Sequence, residues 1–594
     1  MNRFTTERLA ALREVMRREQ LDAFIIPSTD PHNGEYVPPR WEARKWLTGF
    51  DGSAGTAVVT ADKAALWTDS RYFLAAAEQL EGTEFVLMKD GMPDTPDICK
   101  WLGMKLSALR NPAVGLDGTV NTAATVKALA DRLRAEGGIT LRTNIDPFER
   151  IWHDRPQVPA GKVTVHPLEY AGESCRSKLG RIRARLSEMH VGGMLVSALD
   201  DIAWTLNLRG DDVHCNPVFV SYLLIEHERA TIYINKVKLT AEVEAYLEEQ
   251  GVEVKDYGMV YEGLRRYDGY NLLVDGSGTC HALYSAVRCV KADMPSPVPY
   301  MKAIKNAAET EGFRRAMVRD GVAMVKFLSR LLPSVRKGGE TELSVSRSIE
   351  RLRAEQDGFR GISFDTISAY AEHGAVVHYE PTPATDKPLR PEGLLLIDSG
   401  AQYADGTTDI TRTVALGDVT EEERRVYTLV LKGHIRLQML KFPRGASGTQ
   451  LDAVARCALW AEGMNFMHGT GHGVGSYLCV HEGPHQIRME WKPAPIVEGM
   501  TVTDEPGMYL AGRFGVRIEN MLLAVPYRET EFGSFLQFET LTLCPIDTSP
   551  VMTELLSADE RAWLNAYHKT VYDKLSPHLS ADECAWLKDA TAEI

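Results

Sequence analysis

The alternation of apolar and polar residues predicts a repeated helix–strand unit in the first half of the chain. Near the N-terminus, Leu9 and Leu12 lie at helical spacing, and an apolar strand, LDAFIIP, follows them. The same pattern returns 170 residues later, where Leu179 and Ile182 precede the run VGGMLVS. A period this long is not that of a solenoid, so it predicts two successive domains of one α/β type. The alternative is that two unrelated helix–strand units look alike.

Proline- and glycine-rich stretches mark the predicted domain boundaries. The stretch DRPQVPAGKVTVHP closes the first unit, and MPSPVPYMKAIKN closes the second. A long helical pattern, ETEGFRRAMVRDGVAMVKFLSRLL, then opens the last third of the chain. The predicted domains are 1–157, 158–304 and 305–594, the last with a helical C-terminal extension.

Length, charge and cysteine usage restrict the class of protein. A chain of 594 residues is longer than the roughly 250–300 residues of a single core, so several domains are expected. A net charge of −14 disfavours a nucleic-acid or anionic-membrane surface. The sequence contains no run of about 18 apolar residues, so no membrane span is predicted. The charged N-terminus lacks the apolar region of a secretory signal. The nine cysteines form no C-x-x-C pair, which favours reduced thiols. We therefore expect a cytoplasmic enzyme.

A predicted β-hairpin carries the first candidate metal ligands. The segment GLLLIDSGAQYADGTTDITRTVAL contains two strands around a turn at Ala404–Gly406. If the turn centres between Tyr403 and Ala404, Asp398 and Asp409 face each other. Opposed like charges are destabilising, and a divalent cation between them reverses the sign of that interaction. The alternative is that both aspartates face water.

A histidine- and glycine-rich stretch, FMHGTGHGVGSYLCVHEGPH, carries the next candidates. His472 is the candidate ligand, whereas His468 is placed behind the ligands because Gly-Thr-Gly separates the two. The letters HEGPH also match the zinc motif H-E-x-x-H, which requires both histidines on one helical face. Pro484 and Gly483 disfavour a helix, so His481 is not predicted to be a zinc ligand of that kind.

Two glutamates complete the candidate set. Glu505 ends a strand-like run at a Pro-Gly turn, and Glu519 lies in the apolar run GVRIENMLLAV. A buried glutamate requires a partner or a cation. The alternatives are a buried Arg517–Glu519 arrangement, or both residues pointing into one site. Four carboxylates and one imidazole exceed the needs of one ion and favour a pair roughly 3.5–4 Å apart, with Mn²⁺ or Mg²⁺ ahead of Co²⁺ or Zn²⁺.

These motifs resemble a known family. IDSGAQYADGTTDITRT, HGTGHGVG, VHEGP, TDEPGMY and VRIEN, in this order, are similar to the catalytic domain of the pita-bread metallopeptidases. TGFDGSAGTAVVT and WTDSRYFLAA resemble the first domain of the long, three-domain aminopeptidase P (Xaa-Pro aminopeptidase) family, peptidase family M24. The resemblance implies an α/β and α+β multidomain fold, with two creatinase-like N-terminal domains before a pita-bread catalytic domain.

The resemblance also implies an activity, a cofactor and an assembly. The expected reaction is release of the N-terminal residue from peptides with proline at position two, through a hydroxide bridging two metal ions, usually manganese. Asp398 would hold one metal, His472 and Glu505 the other, and Asp409 and Glu519 would bridge them. The long form is typically a homodimer. Proline preference rests on the resemblance alone.

Further residues receive roles from the same resemblance. His378 and His481 match the active-site histidines that are not ligands: His378 would stabilise the carbonyl oxygen, and His481 would orient the proline side. Glu505 would carry a proton to the leaving nitrogen. The weaker candidates for substrate contacts are Arg71, His468, His485 and Arg517.

Three alternatives remain open at this stage. The chain is a prolidase-like dipeptidase, a creatinase-type amidinohydrolase, or a catalytically silent pita-bread protein that binds partners. A tripeptide compared with an Xaa-Pro dipeptide separates the first two from an aminopeptidase, and metal analysis tests the third.

Overall fold

The computed structural model describes residues 3–594 and divides into two compact units. The first unit runs to His166 and resumes from Glu173 to Val298, and the second comprises Pro167–Gly172 and Pro299–Ile594. Both predicted N-terminal domains therefore belong to one compact unit. The boundaries at 157 and 304 stay predictions.

Two six-stranded sheets of identical topology form the first unit. The first has the order β4-β3-β2-β1-β5-β6, and the second β12-β11-β10-β8-β13-β14. In the first sheet β2 runs antiparallel to its neighbours β1 and β3, and in the second β10 runs antiparallel to β8 and β11. All other neighbouring strands in the two sheets are parallel. The strands of this unit are β1 (Ala23–Ile26), β2 (Thr56–Thr60), β3 (Ala64–Thr68), β4 (Phe85–Lys89), β5 (Ala113–Gly115), β6 (Thr140–Arg142), β7 (Thr164–Val165), β8 (Gly193–Val196), β9 (Leu208–Arg209), β10 (Ser221–Glu226), β11 (Ala230–Ile234), β12 (Val252–Lys255), β13 (Asn271–Leu273) and β14 (Val290–Ala292).

The predicted repeat is confirmed by these sheets and by the helices that precede them. Leu9 and Leu12 of the first helix, and Leu179 and Ile182 of its counterpart, are all buried. The α-helices up to residue 303 are α1 (Arg3–Arg18), α2 (Ala43–Thr48), α3 (Phe73–Gln79), α4 (Ile98–Leu106), α5 (Ala123–Gly137), α6 (Phe148–Ile151), α7 (Leu168–Ala171, in the second unit), α8 (Cys175–Glu188), α9 (Leu199–Leu206), α10 (Ala241–Gln250), α11 (Val260–Arg266), α12 (His281–Ala286) and α13 (Val298–Ala303).

The second unit packs long helices against small, mostly antiparallel sheets. The sheet orders are β16-β17-β20, β15-β18-β19 and β21-β28-β27-β24, with the pairs β22-β23 and β25-β26. Its later helices are α14 (Ala307–Lys337), α15 (Glu342–Ala354), α16 (Glu421–Met439), α17 (Gly448–Trp460), α18 (Ala558–Leu575) and α19 (Ala581–Ala590). Its strands are β15 (Phe359–Ile362), β16 (Ile367–Tyr370), β17 (Leu394–Ser399), β18 (Ala401–Tyr403), β19 (Gly406–Thr407), β20 (Ile410–Ala415), β21 (Lys441–Pro443), β22 (Gly471–Gly473), β23 (Glu482–Ile487), β24 (Thr501–Asp504), β25 (Gly507–Leu510), β26 (Phe514–Arg517), β27 (Asn520–Thr530) and β28 (Gly533–Thr540).

The predicted hairpin forms, but its register differs from the prediction. Asp398 lies opposite Thr411, not opposite Asp409. Tyr403 pairs with Gly406, so the turn centres between Ala404 and Asp405. The physical reason is tertiary: the buried carboxylate of Asp405 is paired with two arginines of α14, which hold the turn in this position.

Two further expectations about local structure have clear outcomes. Glu519 does not lie inside one continuous strand, because β26 ends at Arg517 and β27 begins at Asn520 in a different sheet. HEGPH is not helical: His481 precedes strand β23, as the proline and glycine predict. Among residues 3–594, no helix is both long and apolar enough to cross a membrane.

Candidate metal centre

The five candidate ligands lie in or next to different strands of the second unit. Asp398 lies in β17, and Asp409 immediately precedes β20. His472 lies in β22, Glu505 directly follows β24, and Glu519 occupies the junction between β26 and β27. Ends and junctions of strands supply most of these positions, because there a side chain leaves the regular alternation of the sheet.

The imidazole of His472 lies within the acidic cluster. Its Nε2 is 3.5 Å from Asp409 Oδ2 and 3.4 Å from Glu505 Oε1. Ligand atoms of Asp409, His472 and Glu519 all lie within 4.8 Å of one another. His472 Nδ1 is 2.9 Å from the Gly473 carbonyl. Because a carbonyl only accepts, Nδ1 carries a proton, which leaves Nε2 as the ring atom available to bind a cation.

Burial and mutual repulsion make the cluster costly without a cation. Burial raises the pKa of Asp409 and of Glu519 well above the ordinary range, and neighbouring carboxylates raise both pKa values further. Burial, with a contribution from Asp398, raises the pKa of Glu505 to about 7. Asp398 Oδ1 is buried without a hydrogen-bond partner among the described residues. Anionic oxygens that lack other partners, together with one imidazole, fit divalent cations.

A hydrogen-bonded chain leads from Asp398 away from the cluster. Arg517, which is 2% exposed, places Nη2 2.7 Å from Asp398 Oδ2. Its Nη1 donates to the Tyr509 hydroxyl at 2.7 Å, which lies 2.8 Å from His468 Nε2. Arg517 is therefore paired with Asp398, so the alternative Arg517–Glu519 arrangement is wrong. Sequence reasoning missed Tyr509, although it belongs to the quoted motif TDEPGMY.

The carboxylate of Glu519 is held by the neighbouring hairpin. Thr411 donates from Oγ1 to Glu519 Oε2 at 2.8 Å. The fully buried guanidinium of Arg412 donates to the Glu519 carbonyl at 2.6 Å and to Asn520 Oδ1 at 2.9 Å. Both residues were missed from sequence, where an arginine and threonines inside an apolar strand, ITRTVA, were the available signal.

The other predicted site residues occupy different environments. The His481 ring stacks edge-on against His472, with ring centroids 4.4 Å apart. His378 follows a short 3₁₀ helix, Ala371–Ala375, and is half-buried. His485 is buried behind the site with Nε2 2.7 Å from the Thr501 carbonyl, and burial lowers its pKa to about 4. Arg71 lies in the first unit and is paired with Asp69 at 2.8 Å. Their roles towards substrate stay predictions.

Comparison with sequence families covers most of the chain. The family described as metallopeptidase family M24 matches residues 311–526, and the C-terminal region of peptidase M24 matches 534–594. The creatinase/prolidase N-terminal domain matches twice, at 8–143 and 154–309. The double match agrees with the duplicated sheet.

Full-length relatives share more than a third of their residues with the chain. It is 39% identical to the "Probable Xaa-Pro aminopeptidase P" of Paracoccidioides lutzii, over 99% of each chain. It is 38% identical to "Aminopeptidase P1" of Arabidopsis thaliana, again over 99% of each.

Solved structures match at two levels. The X-prolyl aminopeptidase of Caenorhabditis elegans, described as a cytosolic enzyme with a di-nuclear active site, superposes with a TM-score of 0.95 at 35% identity, over 100% of each chain. The Xaa-Pro dipeptidase of Bacillus anthracis matches 63% of this chain and 99% of its own at 24% identity, with a TM-score of 0.51. The second likeness concerns the fold alone.

Proposed function

The chain belongs to metallopeptidase family M24, and from this premise we propose that it is a metal-dependent aminopeptidase releasing the N-terminal residue from peptides with proline at position two. The observation that carries the proposal is the convergence of four carboxylates and His472 on one largely buried cluster. The names of full-length relatives support the substrate class.

The five side chains would hold a pair of divalent cations. Asp398 would bind one ion, His472 and Glu505 the other, with Asp409 and Glu519 shared between them. Two cations would offset four negative charges in a site where burial opposes charge. When bound, such a pair polarises a carbonyl group and lowers the pKa of water. Mn²⁺ is the proposed metal because oxygen donors outnumber the single imidazole, with Co²⁺ and Zn²⁺ as alternatives.

The chain's own residues would move protons and orient the peptide. Glu505 would take a proton from the attacking water and deliver it to the leaving nitrogen as the C–N bond breaks. His378 would donate to the carbonyl oxygen as that oxygen gains charge. His481, whose ring lies edge-on to that of His472, would contact the peptide on the side of its proline residue.

Proline at position two suits a site of this kind. The bond before proline is a tertiary amide without an N–H group. Its nitrogen therefore offers no donor to the enzyme and must receive a proton when it leaves. Glu505 is the group proposed for that transfer.

A small peptide panel tests the proposal. We expect purified protein loaded with Mn²⁺ to release the first residue of an Xaa-Pro-Xaa tripeptide, and to cleave Xaa-Ala-Xaa and the Xaa-Pro dipeptide far more slowly. Chelation should abolish the activity, and added Mn²⁺ should restore it. Preferential cleavage of the dipeptide would favour the prolidase alternative, and a fully loaded but inert protein would favour the silent binding protein.

Assembly and compartment belong to the same proposal. We propose a homodimer in the cytoplasm, from the family resemblance, from the description of the Caenorhabditis elegans enzyme as cytosolic and from nine cysteines that form no disulfide among the described residues. Light scattering on the purified protein should give twice the 66.0 kDa chain mass. Cell fractionation should recover the activity with cytoplasmic markers, and recovery in another fraction would contradict the proposed compartment.

A further inference from the structure

A second buried carboxylate lies in the catalytic unit, away from the candidate metal ligands. Glu342 is the first residue of α15 and is fully buried. Its carboxylate accepts hydrogen bonds from four residues. They are the Tyr370 backbone N–H (2.7 Å), His373 Nδ1 (2.9 Å), the Tyr379 hydroxyl (2.9 Å) and the Lys387 backbone N–H (3.1 Å).

All of these donors lie on one segment, residues 370–387, which joins β16 to β17 and contains His378. Tyr370 and His373 attach one end of the segment to Glu342, and Lys387 attaches the other end. Tyr379 is the residue directly after His378. The single carboxylate therefore draws both ends of this segment, and its centre, to one point.

The start of α15 reinforces this attachment through its backbone. The Glu342 N–H donates to the Lys387 carbonyl at 3.1 Å, and the Leu343 N–H donates to Asp386 Oδ1 at 3.0 Å. The Leu389 N–H donates to the Glu340 carbonyl at 2.9 Å. The helix N-terminus also favours the negative charge of Glu342.

Tyr379 connects this attachment to the strand that carries Asp398. Its ring belongs to a small buried cluster with Leu396 of β17, and it lies against the His373 ring with centroids 4.4 Å apart. Burial raises the pKa of Tyr379, so its hydroxyl remains a donor at neutral pH. The residue beside His378 is thus fixed by packing on one side and by Glu342 on the other.

We propose that Glu342 is a positioning residue: through Tyr379 and the ends of the segment, it fixes the backbone from which His378 reaches the substrate carbonyl. This role rests on the proposed function, since His378 acts on the substrate there. Removing the carboxylate takes the acceptor from the donors of Tyr370, His373 and Lys387, leaves the Tyr379 hydroxyl with the Thr385 carbonyl at 3.2 Å, and frees the segment to shift. A shift of His378 weakens an interaction that strengthens in the transition state, so kcat falls more than KM rises.

A matched pair of tyrosine variants provides the mildest test. Tyr379→Phe keeps the ring but removes the hydroxyl that donates to Glu342. Tyr370→Phe removes a hydroxyl of the same segment that donates instead to the Glu392 carbonyl at 2.9 Å. We expect Tyr379→Phe to lower kcat by about five- to tenfold with unchanged KM and metal content, and Tyr370→Phe to stay within about twofold of wild type. Equal kcat for Tyr379→Phe and wild type would overturn the proposal.

A double-mutant cycle separates positioning from general destabilisation. We expect Glu342→Gln to lower kcat in the wild-type background and to add no further loss to His378→Ala, because its effect passes through His378. If Glu342 had a purely structural role, Glu342→Gln would instead lower kcat by the same factor in both backgrounds. If Glu342→Gln does not fold, Tyr379→Phe takes its place in the cycle.

The two levels of the proposal fail in different ways. An active wild type with independent losses in the cycle would overturn the role of Glu342 alone. Full kcat in His378→Ala would overturn the roles of both His378 and Glu342 and leave the proposed peptidase activity standing. A metal-loaded wild type that cleaves no Xaa-Pro peptide would overturn the proposed function, and the role of Glu342 with it.

Discussion

At the scale of single residues, the candidate metal centre places like charges where water cannot screen them. Asp409 and Glu519 are 4% and 1% exposed, and their pKa values are raised first by burial and then by neighbouring carboxylates, Asp398 and Glu505 among them. An isolated buried carboxylate would take up a proton. The guanidinium of Arg517, 2.7 Å from Asp398, supplies one fixed positive charge, and the proposed cations would supply the remainder.

Asp409 is the residue whose loss should affect the centre most. We expect Asp409→Asn to abolish peptidase activity and to lower the bound metal to less than one ion per chain, because the residue proposed to bridge both ions is lost. The far-UV circular dichroism of the variant should match wild type. Metal analysis and turnover of an Xaa-Pro-Xaa peptide measure the effect.

Asp418→Asn is the control for this variant, since Asp418 is an exposed carboxylate just beyond the same hairpin. It should keep wild-type metal content and activity. An Asp409→Asn protein with two bound ions and normal turnover would exclude the bridging role.

At the scale of elements, the hairpin that carries both aspartates depends on its packing against α14. Asp405, at the turn, is 3% exposed and bonds Arg315 at 3.0 Å and also Arg319. A Cβ at Gly312 would lie only 2.2 Å from the Asp405 carbonyl oxygen. The absence of a side chain at Gly312 is therefore what lets the turn approach the helix.

We expect Gly312→Ala to destabilise the protein by about 1–3 kcal/mol, because backbone must move to make room for the methyl group. It should also lower metal affinity, since Asp409 follows the displaced turn in the same hairpin. Gly180→Ala is the control: Gly180 is exposed in α8, and a Cβ there meets no atom within 4 Å. That change should stabilise by about 0.5–1 kcal/mol. Chemical denaturation measures the free energy of unfolding of both variants. An unchanged free energy of unfolding for Gly312→Ala would show that the turn moves without cost.

Helix α18 contributes a buried histidine to the same unit. The Ile546 N–H donates to His568 Nε2 at 3.1 Å, and burial lowers the pKa of His568 to about 4. The unfolded chain has the ordinary value of about 6.5 and binds a proton first as the pH falls. The stability contributed by neutral His568 is therefore complete above about pH 6.5 and is lost as the pH falls towards 4.

We expect this loss to be on the order of 3 kcal/mol. His568→Gln does not titrate, so its free energy of unfolding should change less than that of wild type between pH 6.5 and 4. Urea denaturation in the presence of chelator measures this without a contribution from metal release. His227→Gln, at an exposed position, should retain the wild-type pH dependence. If the free energies of unfolding of wild type and His568→Gln fell equally between pH 6.5 and 4, His568 would not be the source of the pH dependence.

At the scale of the whole molecule, all five candidate ligands belong to the second compact unit. A ligand that binds only the folded state stabilises the part that folds around it. We expect Mn²⁺ at 100 times its dissociation constant to raise the unfolding free energy of that unit by about 2.7 kcal/mol. Calorimetry with chelator and with Mn²⁺ measures the shift. An identical thermogram under both conditions would contradict binding to the folded unit.

Much of the architecture was predictable because it depends on local patterns. Leu9 and Leu179 mark the duplicated helix–strand unit, and both are buried before strands of equivalent topology. Pro484 excluded a helix at HEGPH, and a strand forms there. Helix caps and turns also obey local chemistry: Asn306 caps α14 with Glu309 as its partner.

The sequence by itself determined the repeated domains, the residue types of the candidate centre and the places where helices cannot form, since each of these depends on neighbouring residues. Only the tertiary structure decided the hairpin register, the pairing of Arg517 with Asp398 and the attachment of the His378 segment to Glu342. Those contacts join residues far apart in the sequence, such as Glu342 and Tyr379, 37 positions apart, and Asp398 and Arg517, 119 positions apart. No local pattern specifies such partners, because they are selected by the packing of elements that the chain brings together only when it folds.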